Sequence, residues 1–187
     1  MNTSAADEDG QIVARIAKGD RQALAELYMR YQHLLFKYLL QLTPDHGLAE
    51  ELLQDTLVAV WKSAGSFEGR STVRTWLVGI ARRQAHNTLR QRALPLADMA
   101  ELEHLPASDP EPEDFTLANA TRAELVAAFN QLAPVHREVL ALTLVQEFSY
   151  QETATILGIP TGTVKSRLSN AKRVLRTLLK TREEAER

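Results

Sequence analysis

The sequence contains no cysteine, which excludes several kinds of site. Without thiols the chain has no disulfide, no thiolate nucleophile and no cysteine-based zinc site. It also has no apolar run long enough to cross a membrane, and it begins with MNTSAADEDG, which is polar and acidic, unlike a signal peptide. We therefore expect a cytoplasmic protein without membrane insertion.

Motifs for catalysis or cofactor binding are also lacking. The five histidines are scattered without metal-ligand spacing, and no glycine-rich phosphate-binding loop is present. The alternating pattern of β-strands and internal repeats are absent as well. The sequence predicts an all-α protein that is not an enzyme and that needs no cofactor or metal.

The net charge of the chain is −2, but the charges are unevenly distributed along it. Seven acidic residues lie between Ala93 and Thr121, a segment with several prolines and no Lys or Arg. The rest of the chain therefore has 22 basic and 17 acidic residues, a net charge of +5. This pattern predicts two mildly basic helical domains, 1–93 and 116–187, joined by a flexible acidic linker at 94–115.

The N-terminal domain is predicted to contain four helices. A frayed segment, 1–9, precedes a short first helix, and Asp20 is the expected N-cap of a long second helix. The third helix is predicted at about 48–63, with acidic residues near its start. A glycine-containing loop, 63–71, leads to a fourth helix at about 72–92 that carries a row of cations.

The C-terminal domain ends in two helices joined by a tight turn. Ser149 and Glu152 form a capping-box pattern before the first, and Gly158 ends it. Thr161 is the expected N-cap of the second, which has an apolar stripe opposite basic and short polar residues. This layout is typical of a DNA-reading helix-turn-helix, with an ordinary helical hairpin as the alternative. Pro134 is predicted to open an earlier helix, which follows a helix starting at about Phe115.

Two segments in a fixed order carry a resemblance to a known family. They are AEELLQDTLVAVWKSAGSFEGRSTVRTWLVGIARR (49–83) and, after the acidic linker, LAPVHREVLALTLVQEFSYQETATILGIPTGTVKSRLSNAKRVLR (132–176). Together they resemble a bacterial sigma factor of the extracytoplasmic-function (ECF) class, across nearly the whole chain. The resemblance implies a non-catalytic protein that joins core RNA polymerase, directs it to promoters and helps to open the duplex.

The resemblance implies that the LLQDTLVAVW segment docks on the clamp helices of polymerase. Acids near a helix N-terminus interact favourably with the helix dipole and can pair with a basic partner, although Glu50 and Glu51 are also explained as a solvated helix start. The expected polymerase-binding residues are Leu52, Gln54, Asp55, Val58 and Trp61.

The loop 63–71 and the helix after it match the part of the family that captures the non-template strand of the −10 element. A base taken out of the stack needs a pocket, and cations must follow the exposed backbone. Trp76 is expected in the core, and Arg83 stands where the family often has Asn, so the recognised base is not predicted. The expected −10 residues are Phe67, Arg70, Arg74, Arg82, Arg83, His86, Asn87 and Arg90.

The helix after Gly158 matches the part of the family that meets the −35 duplex. Many relatives have Arg at the position of Asn170; Arg favours guanine, whereas Asn pairs with adenine. Val164 and Leu168 are expected in the core. The expected −35 residues are Thr161, Thr163, Lys165, Ser166, Arg167, Ser169, Asn170 and Arg173.

The expected partners are therefore core RNA polymerase and promoter DNA, together with an anti-sigma factor that the resemblance also implies. Two small domains on a proline-containing linker can be rearranged by such an inhibitor at little entropic cost. One alternative is a helix-turn-helix regulator that binds duplex DNA without acting as a sigma subunit. Another is an interaction module that sequesters a different regulator. Neither alternative needs the LLQDTLVAVW segment or the loop 63–71.

Overall fold

The computed structural model describes residues 3–43, 45–92 and 121–185. Within these residues all regular structure is helical, which confirms the predicted all-α class, and no helix is long and apolar enough to cross a membrane. The predicted linker, 94–115, lies outside the described residues. The α-helices are α1 (Thr3–Ala17), α2 (Arg21–Leu42), α3 (His46–Ser63), α4 (Val73–Arg92), α5 (Arg122–Gln131), α6 (Pro134–Leu140), α7 (Tyr150–Leu157) and α8 (Thr161–Ala185).

The helices belong to two compact units. The first contains α1 to α4, and the second contains α5, α6, α8 and most of α7. In the first unit α2 packs against α1, α3 and α4, so its apolar side forms the centre of the core. In the second unit α8 packs against both α5 and α6. Each unit has its own set of fully buried apolar side chains.

Helix α1 begins earlier than the sequence predicted. Residues 1–9 were expected to fray, but the helix starts at Thr3 and Asp9 is only 8% exposed. Asp9 is held because Arg30 and Tyr31 of α2 both donate hydrogen bonds to its carboxylate. The prediction of a frayed segment through Asp9 is therefore wrong, since two partners far along the sequence order its last residue.

Side-chain caps set where the helices of the first unit begin. Asp20 accepts hydrogen bonds from the N–H groups of Gln22 and Ala23, which confirms it as the N-cap of α2. Asp45 caps α3 through the N–H of Leu48 at 3.1 Å, so α3 starts two residues earlier than predicted. At α4 the hydroxyl of Thr72 accepts from the N–H of Thr75 at 3.1 Å. Each cap satisfies a backbone donor that the first helical turn leaves without a partner.

The helix-turn-helix has the predicted start and turn. Ser149 and Glu152 form the capping box of α7, and Gly158 ends that helix with a φ of +68°, in the left-handed region that glycine favours. The N-cap prediction for Thr161 is wrong. Thr161 is the first residue of α8, because the carbonyl of Pro160 already accepts the first helical hydrogen bond, from the N–H of Val164 at 3.1 Å. The hydroxyl of Thr161 instead donates to the amide oxygen of Gln151 at 3.2 Å.

The start of the second unit contains two further features. A capping box of Thr121 and Glu124 begins α5, and the predicted start at Phe115 lies outside the described residues. Pro134 occupies the first turn of α6, as predicted, and the chain continues from α6 into a π-helical turn, Ala141–Val145.

Candidate functional site

Four side chains on the outer face of α3 form one continuous strip. Gln54, Asp55, Val58 and Trp61 follow helical spacing along that face, and we call them the α3 strip. Gln54 and Asp55 are exposed, Trp61 is half-buried, and Val58 is 52% exposed although it is apolar. An exposed valine between polar groups and an indole makes this strip suitable for contact with another macromolecule.

Leu52 does not belong to this strip. Its side chain has no exposed surface, and it lies nine residues before Trp61, which places it on the opposite side of α3. The prediction that Leu52 contacts a partner is therefore wrong, because the core of the first unit takes up the whole side chain. The helix dipole does not stabilise Asp55, because α3 starts at His46 and the dipole acts only within the first turn.

The two acids before the strip both have partners within the chain. The carboxylate of Glu51 lies 2.7 Å from the guanidinium of Arg92 at the end of α4, and Glu50 lies 3.4 Å from the imidazole of His46. These contacts explain the two acids without an external partner, the alternative that the sequence left open.

Beside the strip, α2 and α3 enclose a groove of about 710 Å³. Its apolar wall includes Phe36 and Leu40 of α2 and Leu53 and Leu57 of α3, and Gln54 belongs to both groove and strip. The α2 side of this surface was not predicted from the sequence. The signal was present, because α2 has apolar residues, such as Phe36, outside the row that enters the core.

The loop 63–71 is fixed near its start and at its middle. Ala64, at its start, is buried in a 3₁₀ turn, and the ring of Phe67 lies 4.9 Å from the ring of Trp76 in α4. Gly69 has a φ of +70°, and Arg70 is exposed beside Glu68, 2.9 Å away. Since Phe67 and Trp76 are half-buried against each other, this pair shapes the loop rather than leaving either ring fully available to a base.

Four polar residues form an exposed strip along α4. Arg83, His86, Asn87 and Arg90 stand at positions i, i+3, i+4 and i+7, and all four are exposed. We call them the α4 strip. The strip has one guanidinium group at each end and an imidazole and an amide between them. Such a row can bind the phosphates of a DNA strand whose bases are accessible.

Arg74 does not lie on the α4 strip, and Arg82 lies at its edge, four residues before His86. Both are half-buried, and Arg74 is nine residues before Arg83, which places it on the opposite side of the helix. The charge of Arg74 acts on Tyr31 of α2. The structure therefore places Arg74 near the junction of α2 and α4 and leaves Arg83, His86, Asn87 and Arg90 as the coherent set.

On α8 the face opposite the buried residues carries a similar strip. Thr163, Ser166, Asn170 and Arg173 share this face, and we call them the α8 strip. As predicted, Val164 and Leu168 are buried behind them, at 0% and 4% exposure. The strip places short hydrogen-bonding groups nearer the start of the helix and a cation further along.

The other predicted residues of α8 lie around this strip. Lys165 is exposed at one side, Ser169 is half-buried beside Asn170, and Thr161 faces Gln151. Arg167 lies on the other flank, where it and Arg173 influence His136 of α6. Burial first, and then the two positive charges, lower the pKa of His136, so its ring is neutral at neutral pH and adds no charge to this surface.

Metal chemistry has no support in the described part of the chain. None of its His, Asp and Glu residues form a group of three that could hold a metal ion.

Comparison with known proteins decides the family. The sigma-70 region 2 family matches residues 27–94, and the sigma-70 region 4 family matches residues 122–175. The chain is 32% identical over 156 residues to the ECF RNA polymerase sigma factor SigX of Bacillus subtilis, which covers 80% of each chain. It is also 32% identical over 167 residues to the RNA polymerase sigma factor CarQ of Myxococcus xanthus, covering 88% of this chain and 94% of that one. The chain is an ECF sigma factor of the sigma-70 family.

A solved structure shares the fold of this sigma factor. It is the sigma factor RpoE of Bartonella quintana in complex with the anti-sigma factor NepR, with 29% identity and a TM-score of 0.65 over 83% of this chain and 96% of that one. A sigma factor is a non-enzymatic subunit of RNA polymerase that directs transcription initiation. The family and function predicted from the sequence are thus confirmed, and the conventional regulator and the interaction module are set aside.

Proposed function

We propose that this ECF sigma factor divides its three tasks among the three strips. The α3 strip docks on core polymerase, the α4 strip with the loop 63–71 holds the −10 strand, and the α8 strip reads the −35 duplex. The observation that carries this assignment is that the α3 and α4 strips are exposed on different helices of one unit. Polymerase and DNA can therefore bind the first unit at the same time.

The docking assignment is supported by the shape and chemistry of α3. Val58 supplies exposed apolar area, Asp55 supplies a carboxylate, and Gln54 connects the strip to the apolar groove against α2. A partner helix seated along the strip would bury Val58 and part of Trp61 while its basic groups meet Asp55. The docking surface then includes the α2 wall of the groove as well.

The −10 assignment is supported by the absence of acidic groups from the α4 strip. Between Arg83 and Arg90 the strip presents only cationic, imidazole and amide groups, and a single strand of DNA can follow such a row with its phosphates. Arg70 of the loop adds a further exposed cation. Phe67 shapes the loop through Trp76, and Arg74 lies away from this surface.

The assignment of the α8 strip to −35 reading is supported by its mixture of groups. Asn170 can make two hydrogen bonds to the edge of an adenine in the major groove, whereas Arg173 and Lys165 suit phosphates. Thr163 and Ser166 are small enough to allow the helix close to the bases. Thr161 holds α7 and α8 together through Gln151 and supports the strip without joining it.

Transcription with purified core polymerase from a promoter library, with and without this protein, tests the assignment as a whole. We expect added protein to select promoters by their −10 and −35 sequences, while the protein alone binds promoter duplex weakly. Equally tight and sequence-specific binding by the isolated chain would contradict the division of tasks, because promoter recognition would then not depend on docking.

We further propose that an anti-sigma factor restrains this protein in the cytoplasm. The resemblance of the chain to RpoE, which was solved with its anti-sigma factor, supports this, as do the apolar groove and exposed Val58. An inhibitor that covers the α3 strip must compete with core polymerase. The test is to express the protein in cells that lack its genomic neighbours and to measure transcription from its own promoter. We expect this transcription to rise above the unstimulated level of the native host. Transcription that stays at that level, although core polymerase is bound, would contradict the proposal.

Exchange of two residues on the α8 strip should separate reading of sequence from attraction to phosphate. We expect Asn170→Arg to change which −35 sequence is preferred, at a cost of about 1–3 kcal/mol on the original site. We expect Arg173→Gln to weaken binding to all −35 sequences alike and to reduce the salt slope by about one unit. Selection from a randomised −35 library with holoenzyme measures both. An unchanged preference for Asn170→Arg would remove this residue from the base-reading set.

A further inference from the structure

Helix α1 has no role in the functions assigned so far, and it lies outside the segment that matches sigma-70 region 2. It nevertheless packs against the 3₁₀ turn Ala64–Ser66, which opens the loop 63–71, and against α4. We infer that α1 is the support of the loop 63–71 and that Asp9 is a positioning residue for the capture of the −10 strand. This inference rests on the proposed role of that loop.

The stripe that α1 buries begins with a charge. Asp9, Ile12, Val13 and Ile16 stand at i, i+3, i+4 and i+7, so the carboxylate occupies the first position of an otherwise apolar row. The three apolar residues are at most 3% exposed and Asp9 is 8% exposed. Burying a carboxylate is costly unless it is paired and hydrogen-bonded. Its presence there calls for an explanation beyond packing.

The partners of Asp9 supply this explanation. Arg30 donates to one carboxylate oxygen and the hydroxyl of Tyr31 donates to the other, so both oxygens have a donor from α2. The pair fixes α1 both along and around its own axis, which an apolar contact alone does not do, since apolar packing has little directionality. Burial and the bond with Asp9 raise the pKa of Tyr31, so its hydroxyl remains a donor at physiological pH.

Helix α1, held by Asp9, contacts the start of the loop directly. The apolar row that follows Asp9 packs in the core, and α1 contacts the turn where Ala64 is 3% exposed. The middle of the loop has a second contact, Phe67 on Trp76 of α4. A shift of α1 acts directly on the start of the loop, through the turn Ala64–Ser66. The α3 strip faces away from the core, so docking on polymerase should be largely unaffected.

Asp9→Asn tests this inference, because an amide keeps the shape but replaces one of the two acceptor oxygens by a donor, which then faces the donor of Arg30 or of Tyr31. The matched control is Glu8→Gln, which removes the charge of the neighbouring acid, 60% exposed and 3.8 Å from the same Arg30. Tyr31→Phe is the second variant and removes only the hydroxyl. Each full-length protein is studied by hydrogen exchange, alone and with core polymerase, and by binding of holoenzyme to −10 single strands of matched and scrambled sequence.

We expect Asp9→Asn and Tyr31→Phe to speed amide exchange in residues 64–72 and to reduce discrimination between the two strands about fivefold, because each change leaves a buried polar group without its hydrogen-bond partner. Affinity for polymerase and the exchange of α3 should change less than twofold, and Glu8→Gln should match the wild type. The double variant should lose less than the sum of the two single changes, since both act on the hydrogen bond between Asp9 and Tyr31.

Two results would overturn the inference: unchanged exchange of the loop in both folded variants, or equal increases in the loop and in α3, which would indicate general loosening. Should Asp9→Asn fail to fold, Tyr31→Phe decides by the same criteria. If exchange of the loop rises while the wild-type holoenzyme itself shows no −10 strand preference, the proposed role of the loop fails and the positioning role with it. The support of the loop by α1 would then remain a property of the fold alone.

Discussion

Replacing Asp55 by Arg should lower the affinity of this sigma factor for core polymerase by at least about tenfold. The exposed carboxylate lies on the α3 strip next to Val58, where a docked partner would shield it from water. Removing one member of a shielded charge pair costs about 2–5 kcal/mol, and reversing its sign adds repulsion. Titration of labelled core polymerase with the purified variant measures the change.

The matched control for this change is Glu26→Arg. It makes the same change in net charge in the same unit, at an exposed position of α2 that pairs with Arg15 at 3.0 Å and does not line the groove. Exposed pairs of this kind contribute about 0–1 kcal/mol to stability, so the fold should be nearly unaffected. Because Glu26 lies outside the α3 strip and the groove, we expect nearly normal polymerase affinity. Thermal unfolding should be close to that of the wild type for both variants. Normal association of Asp55→Arg with polymerase would show that docking uses another surface.

The elements that could be predicted from the sequence are those set by local chemistry. The capping box of Ser149 and Glu152, the cap of Asp20 and the left-handed Gly158 all depend on residues a few positions apart. Helical spacing alone likewise brings Arg83 and Arg90 to one face. Such features are visible because helix periodicity and cap chemistry do not require knowledge of what packs against the helix.

Features that depend on distant partners could not be predicted in this way. Asp9 is ordered by Arg30 and Tyr31, which lie more than twenty residues away. The residues near Asp9 in the sequence do not indicate that these two side chains contact it. Arg74 looked equivalent to Arg83 in a row of cations, but its side of α4 faces other helices. The family resemblance suggested the docking segment that we propose, but it could not separate Leu52, which is buried, from Val58, which is exposed.

That separation leads to a second large effect: Leu52→Ala should destabilise the first unit by about 2–5 kcal/mol, the range for a leucine truncated in a close-packed core. Leu52 is completely buried, so the change removes buried apolar surface and leaves a cavity. Val58→Ala is the control on the same helix; its side chain is 52% exposed, and we expect a change within about 0.5 kcal/mol. Urea unfolding followed by circular dichroism compares the two stabilities, and polymerase titration below the unfolding transition compares their docking.

The expected pattern is reciprocal: Leu52→Ala loses stability with near-normal affinity once folded, whereas Val58→Ala keeps its stability and binds more weakly. A stable Leu52→Ala protein that fails to bind would return Leu52 to the docking surface and would mean that α3 turns or opens when polymerase is bound.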